Sequence, residues 1–544
     1  MSNLKEEIKS FFSGELADDE TTLDIYSRDA SLFQVKPSLV ASPKTREDIG
    51  KLVNFVDHNR KRGLSITARS GGTCMTGGPL SESIIIDVNK HLNRIKTVSD
   101  DGYATTEPGA FYRDFEKATL AKGWLMPSYP ASREICTVGG MVSNNSGGEK
   151  TLAYGKTEDY VEELKIILRD GKEYIVKPLD TKELKKKMAQ DTLEGKIYKQ
   201  IFELVDKNYD ALQKAKPKVS KNSSGYYLWN IWDKKTFNLS KLIVGSQGTL
   251  GIITEIKFRL IKPKTHSKML AIFLKDLAPL AKIVNTVLTY KPESFESYDD
   301  NTLKLAMRFL PEFVKLLKTN VFKLAWEFLP EFFMTLTGGL PKLVLIAEFT
   351  GDSEEEVARK AQNAKTALRE FHISCRITKT AEESKKYWVV RRESFNLLRH
   401  HIKGKHTAPF IDDMTVRPEQ LPEFLPRLNA IMSEYKLIYT VAGHIGDANF
   451  HIIPLMDLAD PESRKIIPEL SQKVYDLVFE FGGSMSGEHN DGLIRTPFLE
   501  KMYGKKIVSL FKKTKQIFDP HNIFNPGKKV DIDVKYSMEH LAKQ

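Results

Sequence analysis

Short apolar runs alternate with helical stretches along the first half of the chain. Residues 38–43 (SLVASP) read as a strand. Residues 45–63 (TREDIGKLVNFVDHNRKRG) read as a helix with a threonine cap at its start and Gly63 at its end. SITARS at 65–70 is the next strand, and SIIIDV at 83–88 follows a glycine-rich loop. The alternation continues less tightly to about residue 262, where KLIVGSQGTLGIITEIKFRLI closes it. A boundary falls near Lys262–Lys264, where LIKPKTHSK turns polar. Beyond it, MLAIFL, KLVLIAEFTG, CRITKT and KLIYTVAG read as strands separated by long helical stretches. That order predicts an α+β protein. Its parts are a domain over 1–262, a second over 263–490 built on an antiparallel sheet with helices on one face, and a C-terminal return over 491–544. The return is rich in turn formers (DPHNIFNPGK) and is expected to pack on the first domain.

Residues 302–340 depart from this order. Phe-Leu-Pro-Glu-Phe occurs there twice, at Phe309 and Phe328, among apolar residues with lysines interspersed. The prolines cut the stretch into short amphipathic helices, which suit core packing, an oligomer contact or a patch lying on a membrane surface.

Length and composition narrow the function classes. A chain of 544 residues exceeds one hydrophobic core, and 41% hydrophobic with 10% aromatic residues is globular in character. The three cysteines are far apart and form no Cys-x-x-Cys pair, which fits a reducing compartment and excludes an iron–sulfur cluster built from this chain alone. The N-terminus does not read as a secretory signal, and no run of about 18 apolar residues occurs, so the expected location is the cytoplasm, with peripheral contact at the inner face of the membrane through 302–340. A net charge of +11 spread along the chain suits a solvated surface or anionic partners; no nucleic-acid module is present.

Four glycine-rich loops carry the cofactor argument. They are Arg69-Ser70-Gly71-Gly72-Thr73-Cys74, with Gly77 just beyond, and Thr137-Val138-Gly139-Gly140 running through Ser143, Asn144 and Gly147 to Tyr154-Gly155. The others are Gly245 to Thr254, with Gly248, Gly251, Ile252 and Ile253, and Phe524-Asn525-Pro526-Gly527. Glycine allows close backbone approach and positive φ, so successive N–H groups can face a diphosphate. Two such loops in one domain suit a dinucleotide, although neither has the Gly-x-Gly-x-x-Gly order of a Rossmann helix, and there is no Walker lysine.

The metal reading rests on two further segments. Gly443-His444 to Phe450-His451 joins two predicted strands, and a turn at Gly446-Asp447 brings both imidazoles together. Ser486-Gly487-Glu488-His489-Asn490-Asp491-Gly492 follows a helix. Two imidazoles and one carboxylate suit a divalent ion with open positions, zinc first, manganese or iron also.

With Pro108-Gly109 added, the glycine loops resemble the FAD-binding domain of the vanillyl-alcohol-oxidase-type flavoproteins. The chain as a whole, from about 20 to 530, is most similar to the FAD-linked D-2-hydroxy-acid dehydrogenases, the group of D-lactate, glycolate and D-2-hydroxyglutarate dehydrogenases. The resemblance implies a two-subdomain FAD domain, the FAD diphosphate on Gly71–Gly72 and Gly139–Gly140, and the flavin or adenine near Ile252–Ile253. It implies His444, His451 and Glu488 as metal ligands, His489 as the base and Arg391 at the substrate, with the adjacent Arg392 as its alternative; Asn449 and Arg495 are further substrate candidates. Gln247 stands where the family has Glu, and the first loop has no histidine for a covalent flavin bond, so FAD is expected to bind non-covalently. Ile453 stands where hydroxyglutarate enzymes carry Asn. The implied reaction is oxidation of a small D-lactate-like 2-hydroxy acid, with electrons passing to quinone or to a separate iron–sulfur carrier. An oxygen-using oxidase, an ether-lipid synthase of the same fold and a non-catalytic FAD-binding subunit are the alternatives.

Overall fold

The structure is a computed structural model, and it describes residues 4–308, 339–401 and 404–543. The helical reading of 45–63 holds in detail. The Thr45 hydroxyl accepts from Asp48 N and the Asp48 side chain returns the bond, capping helix Arg46–His58, while Gly63 at φ 74° ends the 3-10 turn that follows. That helix lays Ile49, Leu52, Val53 and Val56 on a four-stranded sheet ordered Glu15–Ala17, Leu39–Ser42, Ile84–Asp87, Ile66–Arg69, its last three strands parallel. Beside it lies a five-stranded antiparallel sheet ordered Ile95–Val98, Tyr103–Thr106, Ile252–Arg259, Val161–Ile167, Glu173–Val176.

From residue 263 on, the strands belong to an eight-stranded sheet built on antiparallel pairs. Its strand His266–Leu274, second from one edge, alternates faces as a pleat must. Leu270, Ile272 and Leu274 enter the main core with helices Leu280–Leu288, Glu354–Ala367, Leu421–Ser433 and Pro461–Glu480. Met269, Ala271 and Phe273 point the other way, to Tyr387, Trp388 and Val390 of helix Ala381–His401. The expected arrangement, helices on one face, thus accounts for four of these helices, and a fifth takes the opposite face. That second face is where the polar cluster described below is built.

The C-terminal residues run back across the molecule. Helix Leu499–Phe518 adds Ile507, Val508 and Phe511 to the core beneath the five-stranded sheet, and Phe524 pairs with Ile66 at the edge of the four-stranded one. The amphipathic stretch expected over 302–340 lies, from 309 to 338, outside the described residues. Among those described, no helix is long and apolar enough to cross a membrane.

The return is pinned by a buried ion pair. Lys529 Nζ lies 2.9 Å from Asp491 Oδ2, both side chains have no exposure, and Nζ also donates to the carbonyls of Ser223 and Gly225. Lys529→Met is expected to leave the Asp491 carboxylate buried without its counter-charge and to cost about 3–5 kcal/mol, read as a lowered urea midpoint.

Candidate active site

The glycine loops meet where the two smaller sheets approach the large one. Residues 68–75 form a half-exposed strip between buried flanks, facing half-exposed Gly140, Ser143 and Asn144. Their hydroxyls link, Thr137 Oγ1 donating to Ser70 Oγ at 2.6 Å. Glycine is required by contact. A Cβ on Gly139 would stand 2.5 Å from Pro108 Cβ and 2.6 Å from its carbonyl oxygen, and one on Gly71 would stand 2.7 Å from the Ile135 carbonyl oxygen. Arg69, Cys74 and Gly77 sit behind the strip. Arg69 donates to the carbonyls of Tyr26 and Arg28, Cys74 Sγ lies 3.2 Å from Thr76 Oγ1, and Gly77 N donates to Asp29. Burial raises the Cys74 pKa, so the thiol stays neutral. Gly72 and Gly248 take φ of 66° and 70°, Ile252 is buried, and Ile253 is 9% exposed.

Asn525 is a clamp. It is buried, and its amide donates to the Gly78 and Gln247 carbonyls while Thr67 Oγ1 donates to its Oδ1. Tyr154 reaches across to the large sheet, its hydroxyl 2.7 Å from Glu293, next to Gly155 at φ 77°. The half-exposed strip, crowded glycines and a boundary of main-chain groups fit an extended diphosphate cofactor.

Strand register builds the second half of the site. In the hairpin Ile438–His444 and Asn449–Met456, Ala442 pairs with His451 and His444 with Asn449. His444 and His451 therefore share a face as diagonal neighbours, their rings 5.2 Å apart. The turn expected at Gly446-Asp447 is a 3-10 turn, Ile445–Asp447, closed by Ala448 at φ 47°. The neighbouring strand pairs Tyr298 with Ala442, which brings Glu296 alongside His444. His444 Nδ1 meets Glu296 Oε1 at 2.7 Å, and His451 Nδ1 meets Asp412 Oδ1 at 3.0 Å. When Nδ1–H donates to a carboxylate, the lone pair is on Nε2. His444 Nε2 lies 3.3 Å from Glu488 Oε1, and one donor atom from each of His444, His451 and Glu488 falls within 4.8 Å of the others. Asp412, His451 and His489 form a second such group, but Asp412 is already engaged by both rings, lying 2.8 Å from His489 Nδ1.

Charge is concentrated here. Burial opposes the ionised form of Glu488, yet Lys221 and His444 outweigh it and hold its pKa well below the usual range. Burial would likewise lower the His489 pKa, but Asp413 and Asp412 push it up to about 9. Residues with positive φ gather on these loops, Asp413, Asn490, Gln247 and Asn525 among them.

Two expected substrate residues also brace the loops. Arg495 has no exposure and donates to the main-chain carbonyls of Asn490 and Asp412 from beneath, so it does not face a ligand. The Asn449 amide is taken by Asp413, Met414 and Thr415. Arg391 pairs with Glu296, while the adjacent Arg392 faces away to Glu149. Sequence reading passed over Glu296, Asp412, Asp413 and Lys221. The aspartate doublet within the apolar run PFIDDMTV, and a glutamate inside a buried strand, were the available signals; Lys221 gave none.

Two family models match the chain. Residues 37–177 match the FAD binding domain and residues 263–529 the FAD linked oxidases, C-terminal domain. The chain belongs to the FAD-linked oxidases. It is similar to a D-2-hydroxyglutarate dehydrogenase of Pseudomonas putida, 26% identical over 95% of this chain and 51% of that one. It is also similar to glycolate oxidase subunit GlcD of Bacillus subtilis, 26% identical over 94% and 93%. The chain thus spans about half the length of the D-2-hydroxyglutarate dehydrogenases it matches first. Among solved structures, 4-ethylphenol oxidase from Gulosibacter chungangensis shares the fold, with a TM-score of 0.67, 16% identity and 98% and 97% coverage.

As an FAD-linked oxidase the chain carries an FAD-binding domain, and Gly139→Ala tests one of its crowded contacts. Overpacking of about 1–3 kcal/mol at the Pro108 carbonyl is expected to lower the flavin-to-protein ratio of the purified chain about tenfold, measured by absorbance.

Proposed function

We propose that this protein oxidises a small D-2-hydroxy acid of the D-lactate type to the 2-oxo acid, using non-covalent FAD and a divalent metal. The observation that carries the reading is the direct junction between the two half-sites. Asn490, next to His489, donates to the carbonyls of Asn144 and Gly245, and Gly492 N donates to Gln247. A Cβ on Gly147 would stand only 3.3 Å from Glu488 Oε1. Acid–base groups and the cofactor loops are therefore one surface, as hydride transfer from a hydroxy acid demands.

Bound FAD supplies the hydride acceptor. The donor set of two Nε2 lone pairs and a carboxylate suits zinc, with manganese or iron compatible. His444, His451 and Glu488 would hold the dication, which would supply a Lewis acid to lower the substrate hydroxyl pKa and, by repulsion, favour the neutral form of His489. His489 takes the hydroxyl proton at the nitrogen turned away from Asp412, and Asp412 fixes the ring. Arg391 meets the substrate carboxylate. Its buried Nε has no hydrogen-bond acceptor among the described residues, which leaves a donor for one more oxygen. Asn449 Oδ1, also without a partner among them, is a second polar group for the ligand. A quinone or a separate carrier would be the electron acceptor.

The test is dye reduction by the purified protein over a panel of D- and L-2-hydroxy acids, before and after chelation. Turnover with D-acids that chelation abolishes and zinc or manganese restores is expected; bound flavin with no turnover on any acid would overturn the reading. His489→Ala is expected to retain FAD and to lose about 100- to 10,000-fold in kcat, with retained turnover removing it as the base.

A further inference from the structure

Lys221 is, among the described residues, the lysine whose ammonium contacts a proposed metal ligand, and the proposed function gives it no part. It has no exposure. Its ammonium lies 2.5 Å from Glu488 Oε1, 3.3 Å from Asp447 Oδ2, and donates to the Gly148 carbonyl at 3.3 Å. The same Glu488 oxygen faces His444 Nε2 at 3.3 Å, so the ammonium and the imidazole converge on one carboxylate atom. The segment carrying Lys221 is itself fixed. Ser223 N donates to the Ser486 carbonyl, Ser223 Oγ to the Gly487 carbonyl, and Lys156 Nζ, buried beside it, to Gly487 O and Asn222 O. An ammonium held on three sides by protein cannot swing into water when a second cation arrives.

Resting on the metal reading above, we infer that Lys221 is a built-in counter-ion of Glu488, which holds the ligand cluster together without metal and competes with the metal for the same carboxylate. Two consequences of opposite sign follow. Without a metal, a buried Glu488 needs a positive partner, and Lys221 supplies it, so the cluster stays folded. With a metal, the fixed ammonium repels the dication and lowers the affinity of the site. Lys221 is thus a positioning residue acting through Glu488, and it makes the metal exchangeable where a cluster of bare carboxylates would grip it. A residue that merely supported the fold would change stability and metal affinity in the same direction.

The experiment uses the purified flavin-loaded chain, stripped with chelator and titrated with zinc against a chromophoric chelator, with thermal melting followed in parallel. Lys221→Met, of similar length and without charge, is expected to bind zinc about tenfold more tightly than wild type. It is also expected to melt lower than wild type when stripped, and to be raised by zinc more than wild type is. Lys221→Arg, which keeps the charge, is expected to stay close to wild type in both. Equal or weaker zinc binding by Lys221→Met, with wild type still binding, overturns the inference and leaves the metal reading standing. Failure of wild type and variant alike to bind zinc or manganese overturns both. Where Lys221→Met does not fold, stripping wild type decides the matter. A melting temperature that falls by only a few degrees supports the counter-ion, and collapse of the fold on metal removal overturns it.

Discussion

Asp412 and Asp413 are consecutive, both fully buried, and aimed at different groups. Asp413 takes the N–H groups of Glu488 and His489 together with the Ser486 hydroxyl and the Asn449 amide. Asp412 takes the two rings, His451 and His489. One carboxylate therefore sets the path of the main chain that presents Glu488 and His489, and its neighbour sets the orientation of the imidazoles. Two buried negative charges side by side are costly unless paired. Arg495 meets that cost from below, bound to the Asp412 carbonyl, while burial of the Asp413 carboxylate is outweighed by His489 and Arg495 and its pKa is lowered. The left-handed conformation at Asp413, φ 70°, is what lets adjacent side chains serve separate partners.

The same economy joins the cofactor loops to the metal loop. Gln247, Asn490 and Asn525 are buried amides, each bonded to main-chain groups of segments distant in sequence. Amides suit this work because each offers donor and acceptor at once and carries no charge to be neutralised. Gln247 replaces the acidic residue that the family resemblance led one to expect, and its contacts are all with main chain or amides. These three amides join the loops by hydrogen bonds among neutral groups, and the lysines Lys156 and Lys221 add charged donors to the Gly487 and Gly148 carbonyls.

Legibility followed the physics of each signal. Periodicity exposed the helix over 45–63 and the strands, because a half-buried element writes its face into the sequence. The glycine loops were legible since Gly139 and Gly71 answer to contacts of about a bond length and a half, where no other residue fits. His444 and His451 were legible by rarity and loop context, with 12 histidines in the chain. Arg495 misled because an arginine near a catalytic histidine reads the same whether it faces a substrate or two carbonyls beneath the loop. Lys221 was invisible among the lysines of KPKVSKNSS, since its burial is decided by Glu488, 267 residues away.

The contact between Thr67 and Asn525 joins residues 458 apart. Asn525 also closes on Gly78 and Gln247, so the first and third glycine loops wait for one late residue. During synthesis the N-terminal sheet can form early, because its strands and helix are near neighbours in sequence. Its cofactor face stays unlatched until Asn525, 458 residues after Thr67, has been made. The latch is in this sense a late step of synthesis: a chain stopped before Asn525 presents the glycine loops without the bonds that close them.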